Sequence, residues 1–457
     1  MNRSTTSAGE NADQTGSLAH SIRSASVADS IKFSLLHFVP YLLRGVFTKN
    51  RFWTFVFDAA DSDAHVVKFC QQLRSKYRSD LIYIRMIGGK SLLVFSESGI
   101  RRVLNYSPSI YGDADLKAKG MSHFQPNALT ISQGEEWKER HRFNEVVLNS
   151  DRGLHEYADA FLEVIKREVA FSLGQIGRYF GWEDFDRLFK RVMLQVIFGT
   201  AARTDSELPD RLHKMMLESN RIFLLGKSKE FDAFYGKIRS YLASPESGSL
   251  TALCPHAPQT DGTRVENQIP HWMFAMMETL ATNTLRALAL ILAHPSAEAR
   301  ARLKINKNQS FSAVDIHSFS YLEGCLQEAM RLWPTTAMLA RKTLIEDELC
   351  GTLIPAKTQV IILNTFNHRD AETLYFADSF KPELWLERKA DYHFNHLSNG
   401  TQVCAGKNLA LFIGTAVLAE LLRQGRYKLC RPALNSARPL PHSFNEFQTK
   451  LERIPPF

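Results

Sequence analysis

Two prolines, Pro270 and Pro295, bracket a run that is apolar on nearly every side of a helix: His-Trp-Met-Phe-Ala-Met-Met-Glu278-Thr279-Leu-Ala-Thr-Asn-Thr-Leu-Arg-Ala-Leu-Ala-Leu-Ile-Leu-Ala-His. Proline is accepted in the first turn of a helix and stops one that precedes it, so the bracket marks one long helix. With no polar face to offer water, that helix must lie in the middle of the protein. At 457 residues and 44% hydrophobic, with 30 Phe, the chain has enough apolar material to wrap it. Glu278 is the exception. An ionised carboxylate inside such a helix costs several kcal/mol unless it is paired or hydrated. Either it finds a salt-bridge partner while Thr279 bonds back to a carbonyl, or the acid and the hydroxyl face a wet cavity and relay protons. The second reading is favoured, because a buried carboxylate seldom serves packing alone.

A second constraint is Leu397-Ser-Asn-Gly400-Thr-Gln-Val-Cys404-Ala-Gly406-Lys-Asn-Leu409, a polar loop feeding an apolar helical stretch, 409–422. Gly400 and Gly406 bracket Cys404 and let the backbone turn tightly against a flat object. A cysteine at a helix N-terminus faces free amides and the positive end of the dipole, which favour its thiolate. Such a thiolate is a good axial ligand for heme iron. A small buried apolar residue is the competing reading, and the loop alone does not choose. The other cysteines (70, 254, 325, 350, 430) form no CxxC and no regular spacing. That argues against a disulfide framework or a zinc site and for a reducing, cytoplasmic location. Net charge is +8 without a Lys/Arg block, which disfavours nucleic acid and suits an acidic protein partner. Nowhere are there eighteen consecutive apolar residues, so no transmembrane anchor is expected. Residues 31–44 read as an amphipathic surface segment. Residues 1–29 are expected to be a disordered tail and 30–457 a single domain.

Along the rest of the chain, Leu81–Met86 and Ser91–Phe95 predict a β-hairpin across a Gly-Gly turn. Periodicity fades over 107–133, which reads as a long loop. A helix restarting at Gly134 places Trp137 and His141 on one face, with Arg140 or Arg142 available to an anion or forming a solvated basic surface. Residues 155–240 are helical by period, with a break at Leu224-Leu-Gly226. Met215, Met216, Ile222, Phe223, Phe231 and Phe234 make either a flexible lid or, the ordinary explanation, core. A helix over 318–333 carries Glu328-Ala-Met-Arg331, whose acid and base share a face and are suited to tying a helix to a loop.

In order and spacing, Trp137, Glu278-Thr279, Glu328-x-x-Arg331, Asn367-His-Arg-Asp370, Phe380-Lys-Pro-Glu383-Leu-Trp385 and Cys404-Ala-Gly406 resemble the cytochrome P-450 family of heme-thiolate monooxygenases. The resemblance covers residues 30 to 457. It implies a mainly α (α+β) fold: a large helical domain with a long central helix, and small β-sheets near the N-terminal third and after the Glu-x-x-Arg helix. It implies heme b (iron protoporphyrin IX), with Cys404 as the axial iron ligand in a loop shaped by Gly400 and Gly406. Glu278 and Thr279 match the acid–alcohol pair that guides protons during oxygen activation, and Glu328 and Arg331 match a structural brace. Trp137, His141 and Arg341 stand where the family holds the heme propionates. Met276, Met277, Leu280, Thr336 and Met338 stand where substrate is contacted, with 107–133 and 213–235 completing the pocket.

Four positions depart from the family pattern. Leu397 replaces a Phe seven residues before the cysteine, and Gln402 replaces a basic residue two before it. His141 replaces an Arg four after Trp137, and Leu384 replaces the Arg that normally joins Glu328 and Arg331. The implied function is a soluble monooxygenase acting on a hydrophobic molecule: a terpenoid, steroid, fatty acyl or secondary-metabolite intermediate. Dioxygen is its oxidant, and electrons come from a separate acidic ferredoxin or flavodoxin steered by Lys138, Arg140, Arg142, Lys407, Arg423 and Arg426. A hydroperoxide-rearranging or peroxide-using enzyme is the alternative. Its heme loop resembles that of plant allene oxide synthases, which typically lack the acid–Thr pair. A heme-binding sensor or scaffold is the third reading.

Overall fold

The computed structural model describes residues 22–86, 89–221, 226–306, 310–387 and 391–455. The proline-bracketed run is one continuous helix in three windings. Ile269–Phe274 is α, Ala275–Leu280 widens to a π turn, and Ala281–Ala293 returns to α. Ala281 through Ile291 are all buried, as all-round apolarity requires. Trp182–Phe198, α4 (Ser320–Leu332) and α5 (Lys407–Gln424) pack directly on this central helix, and Ala158–Gln175 closes the bundle against two of them. Gly414 of α5 permits the closest approach. A Cβ there would lie 2.5 Å from Leu326 Cδ2 and 3.2 Å from Leu280 Cδ1.

Small sheets stand in both expected places: Asp347–Leu349 pairs with Thr352–Ile354 after the Glu-x-x-Arg helix, and a larger sheet joins strands from both regions. Six strands run in the order β1 (Arg23–Ser24), β2 (Leu81–Met86), β3 (Gly89–Val94), β6 (Gln359–Leu363), β5 (Met338–Thr343), β4 (Tyr111–Asp113). The β2–β3 hairpin pairs Leu81 with Val94 through Met86 with Gly89, while residues 87–88 of its turn lie outside the described residues. Two expectations need correction. Ordered structure begins well before residue 30, because Arg23–Ser24 pair with Ile82–Tyr83 and Val27–Phe33 is helical with Ser26 as N-cap. The 107–133 stretch is not a featureless loop: it holds β4, α1 (Asp115–Ser122) and a short 3₁₀ turn, Leu129–Ile131. Met215, Met216 and Phe234 are fully buried, so core packing accounts for them; Ile222, Phe223 and the expected break at 224–225 lie outside the described residues.

Glu328 and Arg331 on α4 are both completely buried and paired at 2.6 Å. Every further lone pair and proton finds a partner on the segment beyond β6. Arg331 donates to the carbonyls of His368, Ala377 and Ser379. The Arg absent at Leu384 is replaced in kind by its neighbour, because Trp385 Nε1–H and the Lys381 amide both donate to Glu328 at 2.9 Å. His368 continues the chain: its Nδ1 faces the Arg331 carbonyl at 3.2 Å and its Nε2 accepts the Asn395 amide at 2.9 Å. With one ring nitrogen fixed as acceptor and burial against the Arg331 charge, the imidazole is held neutral, its pKa lowered to about 3. The unfolded chain binds that proton below about pH 6.5, so stability is full above this value and is lost as pH falls beneath it. Unfolding free energy from denaturant titration is therefore expected to drop about 1.4 kcal/mol between pH 7.5 and 5.5 on account of His368 alone. A His368→Asn variant should lack that increment.

Candidate functional site

Cys404 lies three residues ahead of α5, in a turn closed by its own amide donating to the Leu397 carbonyl at 2.9 Å and by Lys407 N–H donating to the Cys404 carbonyl at 3.1 Å. The loop is clamped on both sides. Thr401 Oγ1 donates to the carbonyls of Leu104 and Ser107, at the end of helix Glu97–Asn105. Ser150 and Asn408 hold it to the turn after α2 (Gly134–Val147). Gly400 has φ +65°, and a Cβ there would meet Leu104 O at 2.4 Å. Its need for glycine comes from this helix end and not from a flat ligand. At Gly406 a Cβ would touch only Leu148, at 3.6 Å; what Gly406 contributes is its amide, which bonds the Cys404 sulfur.

The sulfur is exposed by area, yet protein encloses it so fully that burial raises the thiol pKa, against the lowering effects of the Gly406 amide and the Lys407 charge. Lys117 on α1 behaves alike: about 32% of its side chain is accessible, while burial first and Arg341 second lower its pKa against the pull of Asp113. His271 at the head of the central helix is a third case, its pKa lowered to about 4 by burial and by Lys117, and its Nδ1 has no partner.

Cations gather beside the cysteine loop. Arg341 of β5 bonds Ser107 Oγ at 3.3 Å and Gln402 Oε1 at 3.0 Å, and lies 3.5 Å from Asp113. Gln402, where a basic residue was expected, thus acts as acceptor for Arg341. Lys117, which shares Asp113 with Arg341, supplies a cation in its stead. No sequence motif pointed to Lys117, because the strand–helix that carries it was read as loop. Trp137 and His141 meet in a tilted ring contact with 4.6 Å between ring centres; His141 Nδ1 pairs with Glu145, and its Nε2 is buried without a partner. Arg140 is no substitute for the missing Arg. It is buried and committed to Gly262 O, Ser132 Oγ and Glu136, while Arg142 is exposed.

The acid–alcohol pair sits in the π turn, where the wider winding displaces the carbonyl ladder. Glu278 is neither deeply buried nor free: 21% of its side chain is accessible, Thr48 Oγ1 donates to it at 3.0 Å, and His213 Nδ1 lies 3.1 Å away. It is thus both hydrogen-bonded and open to water, with Thr48 and His213 as its partners. Thr279 is half-buried, and its carbonyl takes the Asn283 side-chain amide at 3.0 Å. The turn reaches α5 through Leu280 and Gly414, about 10 Å along α5 from its N-terminus. Met276, Met277 and Leu280 join the large central core. Met338 packs instead with Phe33, Phe69 and Ile361 beneath the sheet, and Thr336 is exposed, so these two do not share the cluster of the other three.

The donor set suits a thiolate-ligated heme: one enclosed thiol with an amide on its sulfur, two cations, and an unpartnered imidazole nitrogen. The family model for cytochrome P-450 matches residues 258–438, which hold the acid–alcohol pair, the brace and the cysteine loop. Over this segment the chain is similar to the cytochrome P-450 family. It is 23% identical over 390 residues to a cyclooctat-9-en-7-ol 5-monooxygenase of Streptomyces melanosporofaciens, covering 76% of this chain and 83% of that one. It is 32% identical over 168 residues to a 5-epiaristolochene 1,3-dihydroxylase of Nicotiana tabacum, covering 34% of this chain and 33% of the relative. A cytochrome P-450 monooxygenase of Macrophomina phaseolina is 29% identical over 178 residues, 36% of this chain and 43% of the relative. If Lys117 and Arg341 hold the propionates, Lys117→Met and Arg341→Leu should each speed heme transfer to apomyoglobin about tenfold, the scale of one charge-assisted hydrogen bond.

Proposed function

We propose that this chain is a cytochrome P-450 that hydroxylates or otherwise oxidises a hydrophobic, cyclic terpenoid with dioxygen, using electrons from a separate acidic ferredoxin or flavodoxin. The observation that carries the reading is the Cys404 loop ahead of α5, with the Gly406 amide on its sulfur and Arg341 bonded to Gln402 in the same loop while sharing Asp113 with Lys117. Cys404 would hold heme b, with Lys117, Arg341 and His141 available to its propionates, and the bound group would supply the redox chemistry that activates oxygen. The residues around it do the rest. The Gly406 N–H withdraws charge from the sulfur and sets its donor strength. Thr279 Oγ, on the widened turn, holds a proton or a water at the reacting face, and Glu278 restores that proton through Thr48 or His213. Met276, Met277 and Leu280 present an apolar wall, which suits a hydrocarbon skeleton and excludes bulk water.

Relatives named for cyclooctat-9-en-7-ol and 5-epiaristolochene support the choice of terpenoid. Among the described residues no helix is long and apolar enough to cross a membrane, which agrees with a cytoplasmic enzyme fed by a diffusing donor. Of the expected steering residues Arg140 is buried and Arg423 is tied to Glu420, so Arg142 and Arg426, both exposed, are the better docking candidates.

The reduced protein under carbon monoxide should give the red-shifted Soret band of thiolate-ligated heme, and Cys404→Ala should abolish it. With labelled dioxygen, cyclic terpene alcohols and surrogate redox proteins, one labelled oxygen should enter the product. Thr279→Ala should lower product per reductant at least about tenfold while leaving the carbon monoxide band intact. Turnover of fatty hydroperoxides without reductant, and no label from dioxygen, would overturn the assignment.

A further inference from the structure

Residues 45–49 cross the molecule between helices that sequence places far away, and six contacts pin them there. Gly45 turns with φ +95°, where a Cβ would strike the Thr48 carbonyl at 2.1 Å. Asn220, just past α3 (Glu207–Ser219), clasps the next three residues. Its Oδ1 accepts both the Val46 and Phe47 amides at 2.9 Å, and its Nδ2 donates to the Thr48 carbonyl at 2.8 Å. Phe47 is buried edge-on against Phe124, in the turn after α1, with ring centres 5.7 Å apart. Thr48, only 4% exposed, donates its hydroxyl to Glu278 in the π turn, where His213 of α3 also bonds. Lys49 pairs at 2.6 Å with buried Glu446, which also binds Arg286 of the central helix.

The segment therefore touches the α1 region, the α3 end, the π turn and the C-terminal loop together, the first three of which are assigned above to the substrate side. It behaves as a strap, and its one hydroxyl on the π turn is aimed at the acid of the acid–alcohol pair. A carboxylate oxygen with two fixed donors, one on the strap and one on α3, keeps its rotamer only while both elements are seated.

We propose that Thr48 is a positioning residue for Glu278, carried on a strap of residues 45–49 that Asn220 latches across the distal side, so that seating the strap over an apolar guest also sets the acid that resupplies protons. The inference rests on the reading of Glu278 and Thr279 as the proton-handling pair, and it adds Thr48, His213 and Asn220 to that reading.

The test uses the heme-loaded full chain and needs no known substrate. Reductant oxidation by oxygen, driven by a surrogate ferredoxin and its reductase, is followed in light and heavy water with peroxide measured alongside. Thr48→Val keeps the side-chain shape and removes the hydroxyl; it should raise the share of peroxide at least twofold and change the solvent isotope effect, and Thr48→Ser should restore both. Asn220→Ala, which unlatches the strap, should speed both binding and release of 4-phenylimidazole several-fold. Wild-type values of peroxide share and isotope effect in Thr48→Val, or wild-type 4-phenylimidazole kinetics in Asn220→Ala, overturn the proposal while leaving the monooxygenase reading standing. A wild-type protein with no thiolate-type carbon monoxide band overturns both together.

Discussion

The position of the cysteine is inherited through a chain of hydrogen bonds that starts at the buried Glu328–Arg331 pair. A fully buried ion pair is a poor source of stability, because desolvating both charges costs about as much as their attraction returns. Its value is geometric. Arg331 grips three carbonyls beyond β6, and His368, braced by the Arg331 carbonyl, accepts the Asn395 amide. Asn399 then donates to the Asn395 side chain and to the carbonyls of Asp391 and Phe394, fixing the entry to the cysteine loop. Loosening the first link would move the sulfur, although no residue of the brace touches it.

The same economy shows on the opposite side. Glu278 stands on a mostly buried helix, and Thr48 and His213 reach its carboxylate from two separate elements. Polar satisfaction and assembly of the site are here one event: the contacts that make the carboxylate acceptable also bring the N-terminal strap and α3 to the π turn. The third polar cluster, Arg341–Asp113–Lys117, follows the same rule, with one buried acid shared by two cations beside the enclosed thiol.

Substitutions that looked like losses are local exchanges. Trp385 donates to Glu328 where Leu384 cannot, because an indole N–H one residue along reaches the same carboxylate. Gln402 turns from donor to acceptor for Arg341, and Lys117 brings charge from a strand–helix that no periodicity revealed. The geometry asks for a donor or a cation at a place in space, not at a place in the chain.

The central helix, the hairpin, the brace pair and the cysteine at a helix start were legible because each is a local pattern: apolarity around a helix, alternation about a turn, an acid and a base three apart, a glycine-flanked loop before an apolar run. The heme-thiolate reading followed from their order. What the chain alone could not disclose was every partner separated by long stretches of sequence. Thr48 meets Glu278, Lys117 takes the charge missing at Gln402, Arg140 turns inward to Gly262, and strands far apart merge into one sheet. Backbone propensity and hydrophobic period act over a few residues, whereas pairing of charges and closing of hydrogen bonds are decided only where packing brings distant segments together.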